Sequence, residues 1–295
     1  HAYNPSCNGL GQATPYTIDV SSLNSCINDT TDNNQGPFFI STATEASFTA
    51  SPSLTICQNE SITFNNTSSS GFSINSSNFC SDNSVFQWQV NQSSSSSGTG
   101  YSVSGDMGDI YNDFPPISGT NQIVVNFTNP GTYSVTLEIA NIDCGPDIET
   151  KTVTVLPIAI IPDTSYSRCS GSSFSYNPTT GNPTGAVVPP NTTYTWTVAA
   201  GPNSLLNNVN GWSSQSSPGV SGPISQVLTL ATGVSTQQQL IYTVTPYTTT
   251  GTGSNAHTCN GTPFIITVNI LSGIYMPDVT MAICNNSPFS LTPIT

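Results

Sequence analysis

Eight cysteines, at positions 7, 26, 57, 80, 144, 169, 259 and 284, are the residues of this sequence with the most chemistry to offer. No two of them form a C-x-x-C pair, and His1 and His257 are the only histidines, so the closely spaced thiolate and imidazole ligands of a zinc site are missing. Disulfides made in an oxidising compartment are the better reading, which places the chain outside the cytoplasm. Asp106, Asp109 and Asp113 fall close together and offer oxygen ligands for Ca²⁺. The spacing is not that of an EF-hand, because residue 111 is Tyr and no Glu closes the loop, so a solvated acidic turn competes with a calcium site. No other cofactor is expected. Catalysis has little to work with, since a nucleophile and its base need a third, orienting group. His257 precedes a cysteine, and no carboxylate pair of the glycosidase kind stands out among the 15 acids. The chain therefore does not read as an enzyme. Lys151 could form an isopeptide link with an Asn, but it sits beside Glu149 at an outward strand position, where simple solvation competes. Trp212, in Asn210-Gly211-Trp212-Ser213-Ser214, reads as a loop residue whose ring either stacks on a sugar or an adjoining domain, or packs beneath its own loop.

Charge narrows the partners. The 295 residues carry 2 basic and 15 acidic side chains, a charged fraction of 6%, where soluble domains usually hold roughly 25%. With Lys151 and Arg168 as the only Lys or Arg, no basic stripe exists to neutralise phosphates, so nucleic acid is excluded. Anionic lipid surfaces and phosphorylated substrates are disfavoured for the same reason. No run of ~18 apolar residues suggests insertion into a membrane, and His1 opens no signal-peptide pattern, as expected of a mature chain or a fragment.

The elements that must position these residues repeat along the chain. Pro162-Asp163, Cys169, Phe174-Ser175 and Pro178 recur without a gap as Pro277-Asp278, Cys284, Phe289-Ser290 and Pro293. Cys57 followed by Ile62-Thr63-Phe64-Asn65 is a weaker third copy. Endings recur too, Cys7-Asn8-Gly9 with Thr14-Pro15-Tyr16 resembling Cys259-Asn260-Gly261 with Thr262-Pro263-Phe264. The expected organisation is the tail of one domain over 1–20, a linker or added strand over 21–44 with a strand at Phe38 to Ile40, whole domains over 45–157 and 158–271, and the start of another over 272–295. The sequence thus reads as a window on a longer tandem array.

Period-two alternation marks the strands. Tyr133, Val135, Leu137 and Ile139 alternate with Thr132, Ser134, Thr136 and Glu138, giving one apolar and one wet face. Val153 and Val155, Tyr194, Trp196 and Val198, and Leu240, Tyr242 and Val244 follow the same rule, and Phe264, Ile266, Val268 and Ile270 close the second unit. Clusters such as Asn129-Pro130-Gly131 set the turns between them, and the Ser93 to Gly100 run reads as a low-complexity loop. No helical period competes, so the fold class is all-β, in antiparallel sandwiches of about the immunoglobulin size. Trp88 and Trp196 are expected in the two cores, and Tyr133 in a tyrosine-corner hydrogen bond.

Cys57-x4-Ile-Thr-Phe, Phe86-Gln87-Trp88, Asn129-Pro130-Gly131-Thr132-Tyr133-Ser134-Val135 and Thr152-Val153-Thr154-Val155 together resemble a PKD domain. The second unit, through Cys169-Ser170-Gly171, Tyr194-Thr195-Trp196-Thr197-Val198, Tyr242-Thr243-Val244-Thr245-Pro246 and Cys259-Asn260-Gly261-Thr262-Pro263-Phe264, is similar to the PKD-like repeats of giant surface adhesins in gliding Bacteroidota. The Gly-Asp-Gly turn usual after the PKD tryptophan is replaced here by Trp88-Gln89-Val90 and a Ser-rich loop. The resemblance implies tandem Ig-like PKD-type sandwiches in an elongated array at the cell surface. It further implies a structural and adhesive stalk used in attachment and gliding motility and exported by the type 9 secretion system. Partners would be neighbouring repeats of the same chain, the secretion and gliding machinery, and a polysaccharide or abiotic surface. A carbohydrate-binding accessory array of a secreted enzyme is the rival reading, and polymerisation into a filament a third.

Matching register suggests the disulfides. Cys57 and Cys144 lie 87 positions apart and Cys169 and Cys259 lie 90 apart (144 − 57, 259 − 169), so each pair would staple the start of a unit to its late loop, with free buried thiols as the alternative. Cys7 and Cys284 would then pair beyond the window, and Cys26 with Cys80. Asp29-Thr30-Thr31 and Asp163-Thr164-Ser165 look like sites that Bacteroidota O-glycosylate, at Thr30 and Thr164.

Overall fold

The computed structural model describes residues 4–7, 10–24, 29–92, 100–111, 117–251, 256–273, 285 and 288, with backbone alone for 18–24, 29–36, 218 and 220. The chain divides into two compact units, His1–Pro157 and Ile158–Thr295.

In the first unit the alternation read from the sequence becomes two facing sheets. One carries, in order, Tyr101–Ser104, Gln122–Phe127, Ser61–Asn66 and Phe48–Ser51, all antiparallel. The other carries Thr55–Cys57, Asp147–Leu156, Gly131–Ala140 and Val85–Gln92, in which only the first pair is parallel. Ile62, Phe64, Ile123, Val125 and Phe127 from the first sheet meet Trp88, Tyr133, Val135, Leu137, Val153 and Val155 from the second. Side chains at every second position point to one face, so a strand with β-branched and aromatic residues in one phase and Thr or Ser in the other has one side to bury. Trp88, 2% exposed, anchors this core. The Phe48 ring stands edge-on to it at 5.3 Å, and its indole N–H donates to the Thr120 carbonyl at 3.0 Å.

The unit also contains its first residues. Gly11–Gln12 pairs with Phe79–Ser81, which pairs with Ser73–Ile74, and Tyr16–Asn24 forms an antiparallel hairpin with Asp29–Phe38. The added strand of the 21–44 stretch therefore runs over Asp29–Phe38, ending at Phe38 instead of covering Phe38 to Ile40. The Ser93 to Gly100 loop lies outside the described residues except for Gly100.

The second unit repeats the plan. Its larger sheet runs Thr164–Cys169, Phe264–Leu271, Gln238–Thr250, Thr192–Ala200 and Gln215–Val220, again with only the first pair parallel, and His257–Asn260 pairs with the far part of Gln238–Thr250. Across the core lie Ser173–Tyr176 paired with Ile224–Val227, and Val209–Asn210 paired with Thr229–Leu230. Trp196 occupies the place of Trp88, opposite Val244 as Trp88 is opposite Leu137. Its N–H donates to the Ser213 carbonyl at 2.7 Å. The two units thus share a first strand laid parallel to the closing strand, then the preceding strand, then the tryptophan strand. Both are β-sandwiches with an Ig-like layering. Among the described residues the helical structure is a single 3₁₀ turn at Leu206–Asn208, and no helix is long and apolar enough to cross a membrane.

Candidate functional site at the ends of the two units

The cysteines sit on equivalent turns. After Thr55–Cys57, Gln58 N–H donates to Leu156 O at 2.9 Å, Asn59 N–H to Phe127 O at 2.7 Å, and Glu60 N–H back to Cys57 O at 3.1 Å. After Thr164–Cys169, Ser170 N–H donates to Leu271 O at 2.9 Å, Gly171 N–H to Leu228 O at 2.8 Å, and Ser172 N–H to Cys169 O at 3.0 Å. The middle residue has positive φ in both turns, 69° at Asn59 and 86° at Gly171, a region that Asn and Gly tolerate. Cys57 and Cys169 are therefore one position in two units.

The same register corrects the expected pairings. Cys57 is aligned with Leu156, at the end of the closing strand, whereas Cys144 lies in the bend before that strand begins at Asp147. A strand rises about 3.3 Å per residue, so the two stand roughly 30 Å apart, and a disulfide needs Cα atoms within about 7 Å. In the second unit Cys169 is aligned with Leu271, where Gln238 meets Ile270, while Cys259 faces Thr248 at the other end of the same long strand. That separation is again roughly 30 Å. Neither Cys57–Cys144 nor Cys169–Cys259 forms: Cys144 and Cys169 are free thiols, and Cys57 and Cys259, both buried, are disulfide-bonded. Cys80 bonds Cys7 instead of Cys26, with Cα atoms 5.8 Å apart, because Gly11 is aligned with Cys80 and carries the N-terminal segment against it. Cys26 and Cys284 lie outside the described residues.

The free thiols differ in setting. Cys169 is exposed and Cys144 half-buried. Cys144 lines two open clefts, one of about 600 Å³ with Val85, Ile110, Tyr111, Ile142 and Pro146, and one of about 640 Å³ with Phe38, Phe39, Ile74 and Asn78. The bend that presents Cys144 is fixed by Asn141, whose Oδ1 accepts from the amides of Asp143 at 3.2 Å and Cys144 at 2.7 Å.

Two features here were not legible in the sequence. Glu138, assigned by alternation to the wet face, is 6% exposed. It accepts from Gln87 Nε2 at 2.9 Å and from the Tyr111 hydroxyl. That hydrogen bond, ahead of burial and the carboxylate's charge, raises the Tyr111 pKa above the usual tyrosine value, while the ring itself stays exposed at the mouth of the cleft. Second, carboxylates on the closing strand and in the bend before it hold the 41–48 segment in place. Asp143 accepts from Ser41 Oγ at 2.5 Å and from Ile74 N–H at 3.1 Å, Asp147 from Ala46 N–H at 2.7 Å, and Glu149 from Phe48 N–H at 2.6 Å. Their partners are remote in sequence, so no local motif announces them.

The remaining candidates resolve plainly. Lys151 pairs with Glu149 at 2.7 Å and lies 4.8 Å over the Phe48 ring. Asp106 accepts from Gly108 N–H at 2.9 Å and Asp109 from Tyr111 N–H at 3.1 Å, each closing its own turn. Gly108, φ 74°, is needed there, since a Cβ would come within 2.5 Å of Gly119 N. Asp113 lies outside the described residues. Trp212 is not a displayed ring: it packs against the second core and donates to Leu206 O at 3.3 Å. Gly211 before it, φ 89°, has no room for a Cβ, which would lie 2.1 Å from Val227 O. Thr164, half-exposed, opens the edge strand beside Asp163, whose Oδ1 accepts from Ile265 N–H at 2.7 Å. Thr30 lies in Asp29–Phe38, and its side chain is outside the described residues.

No family model matches this sequence, and no curated protein matches it. Among solved structures, the FN1–FN3 domains of chicken CNTN1 are similar over 78% of this chain and 67% of that one, at 10% identity and a TM-score of 0.29. The D00–D0 domain of intimin is similar over 75% and 98%, at 13% identity and 0.30. The human desmocollin-1 ectodomain is similar over 80% and 43%, at 12% identity and 0.29. Likeness at this level carries no weight of its own, and the sandwich architecture rests on the sheet order and cores described above.

Proposed function

We propose that this chain is a structural and adhesive stalk segment of a large extracellular surface protein. The observation that carries the reading is the repeated plan of the two units, down to the three hydrogen bonds of the turns after Cys57 and Cys169. Repeated sandwiches, each with its own core, extend a surface by adding copies and need no catalytic centre. The Cys7–Cys80 disulfide fits an oxidising compartment, and a surface of Ser, Thr, Asn and Gln with 6% charge hydrates with little dependence on salt. The motif resemblance supports the narrower assignment to a gliding adhesin exported by the type 9 system, with residues 272–295 as the start of a following repeat and Thr30 and Thr164 as glycosylation sites.

Antibody raised against this chain tests the reading on intact cells of the source organism. Labelling that is removed by external protease, moves along gliding cells and blocks attachment is expected. Labelling only after permeabilisation would overturn it. A carbohydrate-binding role is the second reading, favoured by the Tyr111 ring, which is 64% exposed beside the apolar cleft. Retardation in polysaccharide-containing native gels that is lost in Tyr111→Ala would support it.

A further inference from the structure

Each unit carries a cysteine near each end: Cys57 and Cys144 in the first, Cys169 and Cys259 in the second. Cys169 matches Cys57 by its turn and by its alignment with the end of the closing strand. Cys144 matches Cys259 by lying shortly before the closing strand begins. Of each matched pair one member is already oxidised, Cys57 and Cys259, and the other is a free thiol. The position that is free in one unit is thus a position that makes a disulfide in its sister. Within a unit the two ends stand roughly 30 Å apart, so the second cysteine of the same unit cannot serve either thiol. Both thiols can be reached, Cys169 being exposed and Cys144 lining two open clefts.

We propose that Cys144 and Cys169 are cross-linking positions that join copies of this chain in series, the Cys169 of one copy bonding the Cys144 of the next. The two positions are unlike and occur once each per chain, so the contact is heterologous and each copy joined leaves one thiol at either end for the next. The inference rests on the modular part of the stalk reading and not on adhesion. With oxidised glutathione as the oxidant, the Cys169 thiolate attacks the glutathione disulfide, forming a mixed disulfide and expelling one glutathione thiolate. The Cys144 thiolate of a second chain then attacks the Cys169 sulfur, and the second glutathione thiolate leaves. The two thiol protons end on the two glutathiones, so two protein thiols and one glutathione disulfide give one protein disulfide and two reduced glutathiones.

The test uses the full 295-residue chain, mixed in unlabelled and ¹⁵N-labelled forms, oxidised with glutathione disulfide and resolved without reduction. Digestion is by pepsin, because Lys151 and Arg168 give trypsin only two sites. A ladder of multimers is expected, with Cys144–Cys169 peptides in which one half is labelled and the other is not. Cys144→Ser and Cys169→Ser should each lower species larger than a dimer about tenfold, with an unchanged thermal melt showing that the fold is intact. Absence of half-labelled Cys144–Cys169 peptides, or a ladder that persists in Cys144→Ser, would overturn the proposal. Neither result bears on cell-surface labelling, so its failure and that of the adhesin reading are separable.

Discussion

Buried hydroxyls show how single side chains set the limits of this fold. Tyr133, fully buried, donates to Asn129 O at 2.8 Å and lies 3.1 Å from Gly100 O, pinning the turn before its own strand to the start of the next sheet. Tyr133→Phe leaves those carbonyls short of a donor and should cost about 1 to 2 kcal/mol in urea unfolding; a loss below measurement error would show the bond to be incidental. In the second unit burial pushes the pKa of Tyr194 up to about 12. Burial, with Tyr166 and Tyr194 nearby, does the same for Tyr176, also to about 12, and Tyr242 is raised further by burial. Unfolded tyrosines release their protons near pH ~10, so between there and about 12 the unfolded chain binds fewer protons than the folded one. Stability is therefore undiminished below pH ~10 and falls as pH climbs through that window. The tyrosinate absorbance lost in Tyr176→Phe, Tyr194→Phe and Tyr242→Phe variants, which isolates these three from the exposed tyrosines, should appear together with loss of β-sheet circular dichroism, and its appearance before unfolding would contradict the burial.

Between elements, the working unit is the closing strand with what is laid against it. On the edge away from Gly131–Ala140, Asp147–Leu156 has Thr55–Cys57 along its late half, while in its early half its own Asp147 and Glu149 carboxylates take the amides of Ala46 and Phe48. Glu149→Ala strands the Phe48 N–H and leaves Lys151 without its partner, and should cost about 1 to 3 kcal/mol. The partly buried ion pair itself contributes about 1 kcal/mol or less. Glu149→Gln keeps an acceptor for Phe48 and should recover most of the loss, so equal urea midpoints for the two variants would refute the assignment to that amide. The strands themselves were readable because each one buries a single phase of an alternating run. Glu138 was misassigned because alternation reports which way a side chain points, not whether Tyr111 and Gln87 come to cover it.

At the scale of the molecule, disulfides act on the unfolded chain as much as on the folded one. Cys7–Cys80 closes a loop with a sequence separation of 73, long enough to stabilise by about 4 kcal/mol in the chain-entropy model. Cys7→Ser should lower the first unit's transition accordingly in calorimetry and leave the second unit's unchanged; a shared shift would mean that the two do not unfold separately. The sequence by itself determined the β class, the recurrence of units, the core tryptophans and the strands, because alternation, turn residues and repeat spacing are local properties that survive without coordinates. Similar spacing between cysteines, 87 and 90 positions, also pointed to Cys57 and Cys169 as one position. It did not determine partners, because two residues separated by the same stretch of chain can lie side by side or at opposite ends of a strand. Strand direction and register, which only the tertiary structure supplied, put them roughly 30 Å apart and brought Cys7 to Cys80, Glu138 to Gln87, and the closing-strand carboxylates to amides about a hundred residues away.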